Sequence, residues 1–145
     1  ILNKYPDWKA ISIGDEPREK LIFNHKKFFN LGFKKNSKVI NWLMKSDISV
    51  VCSRIEEPFG RIALEASSAG CAVIITNRGG LPEASSLAIK IKNLSTKNLQ
   101  NKIEKLITNE NYKKNLKKRI YKNFNITNKL SAKKIDDYRI KLIKS

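Results

Sequence analysis

Two glutamates, Glu57 and Glu65, stand eight positions apart with Pro58-Phe59-Gly60 directly after the first. The proline ring fixes the backbone behind Glu57, and Gly60 lets it turn tightly into a helix. The opening amides of that helix, Gly60, Arg61, Ile62 and Ala63, lack intrahelical acceptors and carry a partial positive charge that suits a phosphate. An ionised carboxylate beside them accepts two hydroxyl hydrogen bonds and so matches a vicinal diol. A ligand with hydroxyls at both ends and a diphosphate between them, a sugar nucleotide, satisfies the whole set. A plainer reading has both acids neutralising the helix N-terminus, worth about 0.3–1 kcal/mol. That reading explains a glutamate in the first turn and leaves Pro-Phe-Gly without a purpose.

A second segment, Gly79-Gly80-Leu81-Pro82-Glu83, follows the next apolar run. Paired glycines permit positive φ and a close backbone approach to a ligand. Taken alone it reads as a plain turn with Glu83 in the first turn of a short helix, and it gains meaning only beside the glutamate loop. Gly14-Asp15-Glu16-Pro17 is neither a P-loop nor a dinucleotide fingerprint, since Gly-Lys-Ser/Thr and G-x-G-x-x-G are both missing.

The elements that must position these residues alternate in type. Strands are expected at Lys9–Ile13, Phe28–Leu31, Asp47–Cys52, Cys71–Thr76 and Leu87–Ile91. The third and fourth are nearly continuous apolar runs, as for strands buried on both faces, and the fifth suits an edge. Helices are expected at Arg18–Lys27, at Lys38–Lys45 with Asn36-Ser37 as N-cap, and at Gly60–Ala69 with Gly70 as a left-handed stop. Ser95-Thr96 caps a fourth helix, and Asn109–Asn123 and Ser131–Ile143 follow as two more. This alternation predicts an α/β, Rossmann-like parallel sheet with helices on both faces and a helical C-terminal tail over 95–145, within one domain spanning 1–145. Ligands bind at the carboxyl ends of such strands, which places Gly14, Gly32, Glu57 and Gly79 on one rim.

Composition excludes several classes. No window approaches the roughly 18 continuous apolar residues of a membrane helix. The first residues lack the shape of a signal peptide, which points to a cytoplasmic protein. Cys52 and Cys71 lie in apolar runs and are expected reduced and buried. One histidine, His25, in a basic stretch, reads as a surface residue, and no zinc-type ligand set exists. The formal net charge of +17 has three readings: a Lys-rich compositional bias, an anionic membrane surface, or nucleic acid, the last being the weakest.

The segment EPFGRIALEASSAGCAVIITNRGGLPE resembles the signature of the C-terminal, donor-binding domain of retaining GT-B glycosyltransferases of group 1, glycosyltransferase family 4. Glu57 and Glu65 match its Glu, seven residues, Glu pattern, as do Ala66, Gly70, Val73, Gly79-Gly80 and Pro82-Glu83. AISIGDEP and FFNLGFKKNSKVINWLMKSDISVVCS are similar to the family's preceding strands, turn and helix. The resemblance implies transfer of a sugar from a nucleotide diphosphate sugar (UDP-, GDP- or ADP-linked) to an acceptor hydroxyl with retention, in polysaccharide biosynthesis, without a bound metal or other cofactor. It assigns Glu57 to the donor sugar as the catalytic-site acid, the amides of Phe59 and Gly60 to the sugar, and those of Arg61 and Ile62 to the diphosphate. It assigns Glu65 to the ribose, the backbone of Gly32, Phe33 and Lys34 to the base, and Gly14 to space for the nucleotide.

Three departures accompany the match. The family's opening strand and its Arg and Lys pair would fall before Ile1, as would the N-terminal acceptor domain. The chain is accordingly expected to be an inactive donor-binding fragment with that domain as its partner. The Glu83–Ile89 segment is short for the family, and Cys71-Ala72 stands where a proline is common. The competing reading is a non-catalytic Rossmann-like module whose basic tail meets a membrane or nucleic acid. A phosphorylase or epimerase of the same plan is a third.

Overall fold

The computed structural model describes residues 1–14 and 22–144. Its elements run β1 (Ala10–Ser12), β2 (Phe28–Asn30), α1 (Asn36–Met44), β3 (Ile48–Val51), α2 (Arg61–Ser68), β4 (Ala72–Thr76), α3 (Leu81–Ala84), β5 (Ile89–Ile91), α4 (Thr96–Thr108), α5 (Glu110–Lys122) and α6 (Asn128–Lys144). Among the described residues every strand pairing is parallel. The result is the expected α/β, Rossmann-like arrangement with helices on both faces.

The sheet is in two pieces, β1–β2 and β3–β4–β5. All five residues of β4 are buried, because β3 and β5 flank it and α2 and α5 pack on it. Val73, Ile74 and Ile75 are fully buried there, each burial contributing about 1.5–3 kcal/mol. Leu81, Leu106, Leu116 and Ile120 close the core from α3, α4 and α5. The expectation that β3 is buried on both faces needs correction. Among the described residues it has β4 on one side only, and Val50 is 42% exposed.

Local chemistry explains the helix boundaries. Gly70 has φ +78°, and the N–H groups of Gly70 and Cys71 donate to the carbonyls of Ser67 and Ala66, the paired bonds of a Schellman stop. Ser95 Oγ accepts from the Asn98 amide and Asn109 Oδ1 from the Tyr112 amide, capping α4 and α5. At α1 the expected cap fails. Its N-cap is Lys35, which makes no side-chain cap bond, and the helix already begins at Asn36.

The expected helix over Arg18–Lys27 is not helical at 22–27, while 15–21 lie outside the described residues. The 22–27 stretch folds around His25 instead. The imidazole Nδ1 accepts from the Lys27 amide, the ring stacks on Phe23, and Nε2 lies 3.0 Å from Asn3 Oδ1. His25 is thus a half-buried hub of the turn into β2 rather than a free surface residue.

The N-terminal segment is held by two cations. Lys4 Nζ donates to Glu104 of α4 at 3.0 Å. Lys113 of α5, 5% exposed, pairs with Glu110 and sits 4.7 Å from the Trp8 ring centroid. Among the described residues, no helix is long and apolar enough to cross a membrane.

Candidate functional site

The site begins where β3 ends. Thr76, the buried last residue of β4, accepts from the Ser53 amide and donates to the Ser53 carbonyl, both at 3.0 Å. That clamp fixes the base of the loop carrying Glu57. The far side of the loop rests on the turn after β4. The Gly80 amide donates to the Glu57 carbonyl at 2.6 Å. A Cβ on Gly79 would lie 2.2 Å from the same oxygen, and one on Gly80 would lie 2.7 Å from Phe59 Cα. The close approach these glycines permit in this structure is to the 57–59 backbone.

A residue the sequence reading passed over completes this contact. Glu56 accepts from the Gly79 amide and from Arg78 Nη1, so its carboxylate latches the two loops together. A Glu-Glu pair ahead of Pro-Phe-Gly was the available signal. Glu57 itself is half-buried, and among the described residues its carboxylate has no partner.

Gly60, at φ +83°, is the N-cap of α2 and packs on Leu81. The first intrahelical bond runs from Leu64 to Gly60, which leaves the amides of Arg61, Ile62 and Ala63 without intrahelical acceptors. Phe59 and Ile62 are exposed beside them. No acid occupies the first turn, so dipole neutralisation does not account for the glutamates. Glu65 sits in the second turn. Its Oε1 accepts from Arg61 Nε at 2.9 Å and from Asn36 Nδ2 at 2.8 Å. Its Oε2 is buried and, among the described residues, has no partner. A buried acceptor left unsatisfied costs about 1–3 kcal/mol, a cost that a ligand hydroxyl would remove.

The other predicted residues form a second lip. The Gly14 amide donates to the Gly32 carbonyl at 3.0 Å, joining the ends of β1 and β2. Both glycines have positive φ and open space around them. Phe33 is 74% exposed. Lys34 folds its ammonium onto the carbonyls of Leu31 and Phe33. Asn36 joins this lip to the first one through Glu65. The expected rim exists, but as two pairs, Gly14 with Gly32 and Glu57 with Gly79, bridged by a residue expected only to cap a helix.

A Rossmann-like domain with this strand and loop order is the architecture of a glycosyltransferase C-terminal domain. The chain belongs to the glycosyl transferases group 1 family, whose sequence profile matches residues 1–123. Among solved structures it is similar to the C-terminal domain of a glycosyl transferase group 1 family protein, LpcC, from Francisella tularensis. Identity is 30%, the TM-score is 0.71, and the match covers 83% of this chain and 70% of that one. It is also similar to HepE of Anabaena in complexes with UDP and with UDP-glucose. Identities are 20% and 19%, TM-scores 0.65 and 0.62, and coverage of this chain 91% and 89%. The chain spans about two-fifths of the HepE length, 42% and 41%. Comparison with curated proteins gave no match.

Proposed function

We propose that the chain is the donor-binding half of a retaining hexosyltransferase that moves sugar from a nucleotide diphosphate sugar to an acceptor hydroxyl. The observation carrying this reading is Glu65. One of its oxygens is locked by Arg61 and Asn36, and the other is buried and empty-handed at the edge of α2. Ribose hydroxyls donate to Oε2 in this reading. The diphosphate meets the amides of Arg61 and Ile62, and the sugar lies against Glu57 and the amides of Phe59 and Gly60. The base lies along Gly32 to Lys34, with Gly14 leaving room behind it. As the glycosidic bond breaks, negative charge grows on the diphosphate, and fixed amide dipoles at the helix start stabilise it without reorganising. Glu57, without a partner among the described residues, holds the sugar hydroxyls on the face from which the leaving group departs.

The split sheet supports a further part of the reading. In the doubly wound order 3-2-1-4-5-6, β2 and β1 take places three and two while β3, β4 and β5 take four to six. Place one is then filled by a strand from outside this chain, and the acceptor-binding domain forms the other wall of the cleft. The isolated chain binds nucleotide weakly and does not turn over. Helix α6, beyond the family match, exposes Ile135 and Tyr138 among lysines and is assigned to contact with that second domain. Peripheral attachment to an anionic membrane on the cytoplasmic side is the competing assignment. Sedimentation with anionic vesicles separates the two.

Titration with UDP, GDP and ADP tests the central claim. One of them binds with little salt dependence, and Glu65→Ala abolishes the binding. Binding that ignores Glu65 and weakens steeply as salt rises would instead identify a basic module held by charge alone.

A further inference from the structure

Three cations stand at the carboxyl ends of the three adjacent strands of the larger sheet. Arg54 follows β3, Arg78 follows β4, and Lys92 follows β5. With Asn93 and Leu94 they line a cleft of about 350 Å³. One carboxylate, Glu56, reaches the cluster, at 3.3 Å from Arg78. Among the described residues Arg54 and Lys92 have no acidic partner. With one carboxylate against three cations, the cleft keeps a net positive charge that a further anion would offset. Many of the other lysines lie along α4, α5 and α6, whereas here strand order gathers cations lying 24 and 14 positions apart in sequence. Guanidinium forks match phosphate oxygens two bonds at a time, which favours phosphate over a generic anion.

We propose that this cleft binds a phosphate group carried by the acceptor, placing that molecule beside the Glu57 loop. The inference rests on the donor reading above and extends it to the second substrate. Glu56 ties the two sites together, since the carboxylate that pairs with Arg78 also holds the Gly79 amide under Glu57. Half-buried Leu94 gives the organic part of such an acceptor an apolar wall.

The test is calorimetric titration of the chain with glucose 1-phosphate, inorganic phosphate and UDP. Arg54→Gln and Lys92→Gln each weaken glucose 1-phosphate binding about tenfold, the effect of losing one charge-assisted contact, and leave UDP binding unchanged. Lys133→Gln on α6 leaves both unchanged. Saturating UDP does not displace the sugar phosphate. The proposal is overturned if the cleft variants bind like the parent, if Lys133→Gln weakens binding equally, or if UDP displaces the ligand. Inorganic phosphate binding as tightly as the sugar phosphate would overturn the acceptor assignment. If none of UDP, GDP and ADP binds while the dependence on Arg54 and Lys92 persists, the donor reading fails and the cleft stands.

Discussion

Asn36 donates from Nδ2 to Glu65 Oε1 at 2.8 Å, across 29 positions of sequence. The bond joins the lip formed by β1 and β2 to the lip formed by β3 and β4. It also decides which oxygen of Glu65 is spent and which remains open. Arg61, one turn before Glu65 on the same helix, occupies Oε1 as well. The carboxylate is oriented from both sides before any ligand arrives.

Asn36→Ala is expected to lower nucleotide affinity about tenfold by freeing the Glu65 carboxylate to rotate. Stability should change by about 1 kcal/mol or less, because the hydrogen bond is exposed. Calorimetry and a thermal melt on the same sample separate the two effects. Unchanged affinity would show that Asn36 does not orient the acid.

Gly79→Ala should be severe. Its Cβ would overlap the Glu57 backbone at 2.2 Å, and the φ of +50° is itself unfavourable for alanine. Overpacking and left-handed strain together cost about 2–5 kcal/mol. Gly32→Ala, at φ +62° with nothing within 4 Å, carries the strain alone, about 1–2 kcal/mol. Urea midpoints should rank the parent above Gly32→Ala and Gly32→Ala above Gly79→Ala. The reverse order of the two variants would mean that the loops do not touch.

Acid should loosen the seat of α5. The hydrogen bond from Lys117 Nζ, 2.6 Å long, holds the Asp47 carboxyl below its ordinary value, against a smaller opposing effect of desolvation. Asp47 therefore binds a proton more readily in the unfolded chain. The pair's contribution is whole above the unfolded carboxylate value near pH 4, and it is lost as pH falls through the lower folded value. Half-exposed as it is, the pair is worth about 1 kcal/mol or less. Asp47→Asn should be slightly less stable than the parent at pH 7, and the difference between the two melting curves should shrink as the pH falls below about 4.

The two thiols should react at very different rates. Cys71 is fully buried, donates to the Leu43 carbonyl at 3.2 Å, and has its thiol pushed up to about 11 by burial. Cys52 is half-buried and shifted upward by the same cause. An aromatic disulfide reagent at pH 8 should titrate Cys52 first, slowly, and Cys71 only on unfolding. Equal rates in the native chain would contradict the packing of Cys71 beneath α1.

Much of this was legible in order along the chain. Glu57, Gly60 and Gly70 are punctuation with a local cause, and they do what their neighbours in sequence require. The run Ala72–Thr76 becomes the central buried strand because its first four residues are apolar and the Thr76 hydroxyl is satisfied by Ser53. The 22–27 stretch misled for an equally local reason. Its residues fit a helical pattern, but the His25 ring captures the Lys27 amide and Phe23, and the turn wins. Asn36 misled because a helix start is the usual place for its side chain, and here a carboxylate from another helix competes successfully for it.

The sequence by itself determined most of the element types, the parallel α/β class, the glutamate loop and the exposed start of α2, because each depends on residues within a few positions of one another. Only the tertiary structure decided that Gly79 and Gly80 serve a loop-to-loop contact, that Glu56 latches it, that Glu65 keeps one oxygen open, and that Arg54, Arg78 and Lys92 share a cleft. Those relationships join residues from different strands and helices. Strand order and side-chain packing, which no local spacing encodes, set their distances.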